Sequence, residues 1–209
     1  MILRGVDWRA VLGASAVGAV ILALCGALPS AGPPLTYVRL ALIALAGATA
    51  FVLDEPAAAA VAAVPVARAR RTAVRSIAVG LPLGVWATGV LALTLRHPGT
   101  PVRGLLVEGV GVLALALGGA AVLRLGGRDE PGELIASVVG ALLLAVLLFD
   151  PPPHSVPFFP VETGWAASTL LWAGVAVGAA LVVAVASTDV GRRPPEKLQV
   201  APVCDMLGA

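Results

Sequence analysis

Runs of about twenty apolar residues, repeated along almost the whole chain, constrain this sequence more than any motif in it. A helix rises about 1.5 Å per residue, so such a run matches a hydrocarbon core of about 30 Å. The bilayer offers no water to unsatisfied backbone groups, and a continuous apolar span must therefore be helical. The runs fall at about 11–28, 35–53, 76–95, 105–123, 134–149 and 166–186. The fold class is all-α: a polytopic membrane protein of six transmembrane helices, occupying 1–188, with a disordered polar tail over 189–209. Composition agrees, with 59% hydrophobic and 12% charged residues against roughly a quarter charged in soluble domains. The fifth run is short, and the third contains Pro82, which a membrane helix tolerates if neighbours satisfy the freed carbonyl.

Positive charge sets the orientation, because Lys and Arg are retained on the cytoplasmic side. With the N-terminus inside, Arg4, Arg9, Arg68, Arg70, Arg71, Arg75, Arg124, Arg128, Arg192, Arg193 and Lys197 are cytoplasmic, and Arg39, Arg96 and Arg103 lie outside. Eleven of the 14 Lys and Arg side chains are thus inside, and an even number of spans gives an N-in/C-in topology. The outer loop "DPPPHSVPFFPVETGW" has Asp150 and Glu162 but no Lys or Arg. The first run is read as a retained helix rather than a cleaved signal, being longer than most signal cores. Leu24 stands where a lipoprotein box wants a small residue before Cys25. Cys25 is therefore read as a helix-packing residue, and Cys204 in the tail implies no disulfide.

The second-to-third loop, "FVLDEPAAAAVAAVPVARARRTAVR" from Phe51 to Arg75, differs from everything around it. Asp54 and Glu55 suit a helix N-terminus, with Pro56 acceptable in the first turn. Ala57–Val64 has high helix propensity but is too short to span. After Pro65, the residues Arg68, Arg70, Arg71 and Arg75 gather where phosphate headgroups or an acidic partner would be met. The expected element is a short interfacial helix across the cytoplasmic mouth. A solvated positive-inside loop is the simpler account of the same charges.

Six spans with both ends inside, and this loop between the second and third, resemble the membrane subunit of an ABC-2 type, exporter-class ABC transporter. The pattern of aliphatic helix end, acid pair, Pro-Ala-Ala, second proline and arginine cluster is similar to that of small actinobacterial permeases of the class. The resemblance implies that the loop is a coupling helix docked on a separate ATP-binding subunit, with Asp54, Glu55, Pro56, Arg70 and Arg71 in contact. It also implies a second membrane subunit, identical or paralogous, and residence in a bacterial cytoplasmic membrane. Thirteen arginines to a single lysine fit a GC-rich bacterial source. Only about ten residues precede the first span, so the elbow helix of that class is short or missing.

No GxxxxGK[ST] phosphate loop occurs, and "GGRDEPGE" lacks the lysine. The chain is therefore read as a non-enzyme without cofactor or metal, and nucleic acid is not an expected partner. Intramembrane charge marks functional candidates, since a charged group costs about 2.5 to 3.5 kcal/mol at a helix centre on insertion scales. Arg39 near the outer end of the second span and Glu108 one turn into the fourth lie at similar depth. Snorkelling of Arg39 alone is the first reading of this placement; the other is an Arg39–Glu108 pair, closing a pathway or neutralising two charges as they pack. A carboxylate deep in a span, as a proton relay requires, is missing.

Weaker signals complete the reading. Gly174 and Gly178 form a GxxxG step in the sixth span, which permits close helix approach. Trp8, Tyr37 and Trp165 are expected as interfacial anchors, with Trp86 and Trp172 in the bundle. Two other classes of function stand beside the transporter subunit. One is a structural or regulatory membrane protein whose Arg-rich loop binds lipid or a partner. The other is an intramembrane enzyme, for which His97, His154, Asp150 and Glu162 would have to converge.

Overall fold

The computed structural model describes residues 6–27, 34–54, 68–128, 130–149, 158–160 and 163–188, and no strand occurs among them. Among the described residues, seven helices follow one another: α1 (Trp8–Ala27), α2 (Leu35–Ala50), α3 (Arg68–Ser76), α4 (Gly80–Arg96), α5 (Val102–Leu125), α6 (Gly132–Leu148) and α7 (Trp165–Ser187). Short 3-10 turns extend α2 through Phe51–Leu53 and join α3 to α4 through Ile77–Val79. Five segments are long and apolar enough to cross a membrane; the fifth expected span, Gly132–Leu148, is shorter. The described residues are all-helical, with five to six apolar helices that could span a membrane.

Local sequence explains the element ends. Asp7 caps α1, its Oδ1 accepting the N–H groups of Arg9 and Ala10 at 3.2 and 3.4 Å. Val6 and Val11, on either side of that cap, are buried in one small cluster with Val52 and Ala78, the arrangement of a hydrophobic staple. The third span begins earlier than its apolar run, because helix continues from Arg68 through the 3-10 turn. The tightened turn lies just ahead of Pro82, whose ring would clash with the carbonyl four residues back in a regular helix. At the far end of α4, Gly99 turns the chain with φ +95°, and Thr100 Oγ1 donates to the His97 carbonyl at 2.6 Å.

Two helices form the centre. α2 and α5 are the most enclosed spans and pack on each other. α1 and α6 flank α2, α4 closes against α1 and α5, and α7 lies along α5. The core joins Val38, Leu42 and Leu45 of α2 with Leu105, Val112 and Leu113 of α5, and with Trp86 of α4. α7 is the least enclosed span, and its outward side carries Leu170, Val177, Leu181 and Val185. Gly174 and Gly178 are also on exposed positions, and a Cβ added at either would meet nothing within 4 Å. Among the described residues, the GxxxG step therefore makes no close approach.

Close approach occurs along α5 instead. Trp165 lies over Gly104, Trp86 over Gly109 and Trp172 over Gly111, each where a Cβ would collide with the indole. Trp86 is fully buried and its Nε1 donates to the Leu105 carbonyl at 3.0 Å, so the buried indole keeps its hydrogen bond. Glycine on α5 thus makes room for large rings that fill the bundle at native density. Gly109→Ala is expected to destabilise the protein by about 1 to 3 kcal/mol, the usual range for overpacking. Gly174→Ala should be neutral or slightly stabilising; thermal unfolding in detergent of the two variants checks the contrast.

Candidate functional site

The helices alternate in direction, so the polar residues collect at two ends. Arg39, Arg96, His97, Arg103 and the segment 158–160 lie at one; Asp7, Asp54, α3, Arg124 and the start of α6 lie at the other. Each end holds one polar cluster, and each cluster contains residues singled out in the sequence.

At the first end, the structure brings Arg39 and Glu108 together. Arg39 Nε donates to Glu108 Oε1 at 3.1 Å, and Nη2 approaches Oε2 at 3.4 Å. The two side chains are 2% and 0% exposed, so Arg39 does not reach outward alone. The guanidinium has a third partner: Nη2 donates to the Pro160 carbonyl at 2.7 Å. Aromatic rings cover it, Phe159 at 5.0 Å and Trp165 at 5.8 Å from its central carbon to the ring centroids, both within cation–π range. Phe159 in turn stacks on Trp172 at 5.8 Å. The Phe158 carbonyl accepts from Ser168 Oγ at 3.1 Å and Trp172 Nε1 at 2.9 Å. One arginine on α2 thereby ties α5 and the segment leading into α7 into a single knot. Trp165, expected as an interfacial anchor, is half-buried within it.

The second end is organised by Asp54. Its backbone is extended, with φ −62° and ψ 140°, and its Oδ1 accepts the Gly132 N–H at 2.7 Å, across 78 residues. Pro131 precedes α6 and supplies no side-chain cap; a carboxylate from α2 fills that role at the positive end of the helix. Arg75, expected among the outward-facing arginines, is instead buried, with Nη1 3.5 Å from the Asp54 carbonyl. Bringing that guanidinium inside joins the end of α3 to the end of α2. A cavity of about 190 Å³ opens beside this node, lined by Asp7, Phe51, Asp54, Glu130 and Glu133.

The remaining expected site residues divide plainly. Arg70 is exposed on α3, and Arg71 also lies in that helix. Glu55, Pro56 and the helix expected over Ala57–Val64 lie outside the described residues, as do Asp150, His154, Glu162 and the tail. His97 is buried at the end of α4. Among the described residues, no three His, Cys, Asp or Glu side chains are placed to hold one metal ion. No family model, curated protein or solved structure matches the chain.

Two outcomes follow from these clusters. Removing one member of the pair, by Arg39→Met or Glu108→Leu, leaves a buried uncompensated charge and should cost about 3 to 5 kcal/mol. The Arg39→Met/Glu108→Leu double variant should recover much of that loss, a coupling that a double-mutant cycle on detergent-solubilised protein measures. At the other end, burial pushes the Asp54 carboxyl up from 3.8 to about 6; Glu130 and Asp7 add to the shift, and the Gly132 N–H and Arg124 oppose it. Between these values the folded protein holds more protons than the unfolded chain. The Asp54 contribution to stability is then fully present below the unfolded value and is lost as pH rises toward about 6. Asp54→Asn keeps an acceptor for Gly132 and should remove that part of the slope in pH-dependent melting curves.

Proposed function

We propose that the protein is a non-catalytic membrane subunit of an exporter-class ABC transporter, acting with a separate ATP-hydrolysing subunit that meets the loop between the second and third spans. In this reading both termini are cytoplasmic and the Asp54 end of the bundle faces the ATPase. The observation that carries it is the way α3 is joined to the spans. Arg70 is exposed on that short helix, while Thr72 and Arg75 are buried beneath it. α3 runs through the Ile77–Val79 turn into α4, Arg75 reaches the Asp54 carbonyl, and the Asp54 carboxylate holds the start of α6. A push on the exposed side of α3 therefore reaches α2, α4 and α6 through covalent and hydrogen-bonded links, as a coupling element requires. The translocation pathway would lie between this bundle and a second membrane subunit, with the outward side of α7 available to meet it.

The tight Arg39 knot favours a second reading, a structural or regulatory membrane protein whose arginine-rich segment holds lipid or a partner. Copurification separates the two. The tagged chain, extracted from its native membrane in mild detergent, should bring down a P-loop ATPase. The variant Arg70→Glu/Arg71→Glu should insert normally and lose it. Recovery of no ATPase under conditions that preserve a known ABC complex would sink the transporter reading.

A further inference from the structure

A trough of about 470 Å³ runs between α1 and α4 on the outside of the bundle. Ala19, Ala23, Gly26 and Ala27 line it from α1, and Gly89 and Ala92 from α4. The larger side chains of its lining, Leu22 and Leu93, are buried at its floor, and the small residues leave the space above them open. Thr88 borders the trough, but its hydroxyl donates back to the Gly84 carbonyl at 2.7 Å, which leaves no neutral polar side chain to greet a polar occupant. Arg96, the last residue of α4, stands at one end. It is exposed and forms no ion pair with another described residue.

The dimensions select the occupant. From Val85 to Arg96 the lining advances eleven residues, roughly 16 Å at about 1.5 Å per residue. That is about half of a hydrocarbon core of about 30 Å, or one leaflet. The cation therefore lies where headgroup phosphates lie, and the side chains lining the trough inward of it are apolar apart from Thr88. A free anion would use only Arg96; an uncharged alkyl chain would use only the trough.

We propose that the α1–α4 trough is a binding site for one net-anionic phospholipid, whose acyl chain lies along Ala23, Gly26 and Gly89 and whose headgroup phosphate is held by Arg96. Lipid tails elsewhere are as apolar as the trough, so the chain contributes fit rather than hydrophobic free energy. The charge supplies the preference. An arginine at the membrane surface contributes about 1 kcal/mol toward an anionic lipid, about fivefold in affinity. The site is independent of the transporter reading, because it involves neither α3 nor a partner protein.

The test uses full-length protein delipidated in detergent and titrated with phosphatidylglycerol or phosphatidylcholine, with bound lipid counted by native mass spectrometry. Phosphatidylglycerol should be retained about fivefold better. Arg96→Gln should reduce its retention by a similar factor, whereas Arg128→Gln, an exposed cation at the opposite end, should leave it unchanged. Ala23→Phe should reduce it by filling the trough. Gly26→Leu is the second filling variant, since a Cβ there meets nothing within 4 Å, and melting curves show that each variant is folded. Equal retention of the two lipids, or no loss in Arg96→Gln, overturns the proposal. So does loss in Arg96→Gln with full retention in both filling variants, which would mean surface attraction without a chain site.

Discussion

A guanidinium that is 2% exposed inside an apolar bundle must be satisfied from several sides at once, and much of this architecture is arranged around that demand. Neutralisation by Glu108 is not sufficient, because burying an ion pair costs more than the pair returns unless the remaining donors are also satisfied. Arg39 meets this with the Pro160 carbonyl and with aromatic faces on two sides. Glu108 comes from α5, whereas Phe159, Pro160 and Trp165 come from one stretch leading into the start of α7. Satisfying one side chain therefore fixes α2 against α5 and brings the segment before α7 down onto both.

The glycines of α5 are the geometric counterpart of that knot. Trp165 and Trp172 can lie beside Phe159 and Arg39 because Gly104 and Gly111 leave room for their rings against α5. Side chains at those positions would push α7 outward and pull the Pro160 carbonyl from its donor. The helix–helix surface follows the general membrane pattern, in which small residues permit close approach and polar links supply specificity. Here the small residues receive indoles rather than another backbone.

Hydropathy carried the all-helical class and most span positions, since each depends on a property summed over many residues. The similar depth of Arg39 and Glu108 was also legible from their positions in the second and fourth runs, but whether they pair or Arg39 snorkels was not. The third carbonyl partner was not, as nothing local distinguishes Pro160 from the other prolines of its loop. Asp54 shows the same limit more sharply. Its neighbours suggested a cap for the residues that follow it, whereas its carboxylate serves Gly132, 78 residues away. A trace of this existed in "DEPGEL", where a helix starts behind proline and glycine with no serine, threonine or asparagine to cap it. The glycines show the same limit: GxxxG spacing singled out Gly174 and Gly178, while the glycines of α5 that receive rings face tryptophans distant in sequence. Arg75 was grouped with its neighbours by charge, although position on the helix places it inward.

The two polar clusters differ in what they allow. The Arg39 knot is held by a fixed cation and by packed rings, and loosening any member strands a buried charge. At the opposite end, Asp54 accepts the Gly132 N–H and its carbonyl is reached by the buried Arg75, beside a cavity lined by other carboxylates. Breaking the Gly132 contact exposes a carboxylate to that cavity and frees one helix N-terminus, a smaller loss than an unpaired guanidinium in hydrocarbon. Separating α6 from α2 at the Asp54–Gly132 contact should therefore cost less than separating α2 from α5 at the Arg39–Glu108 pair. In the proposed transporter, a displacement of α3 would be passed to α6 through this contact while the Arg39 end stays closed. Opening that far end would require separating Arg39 from Pro160, which asks more of the segment before α7 than of the Arg39–Glu108 pair itself.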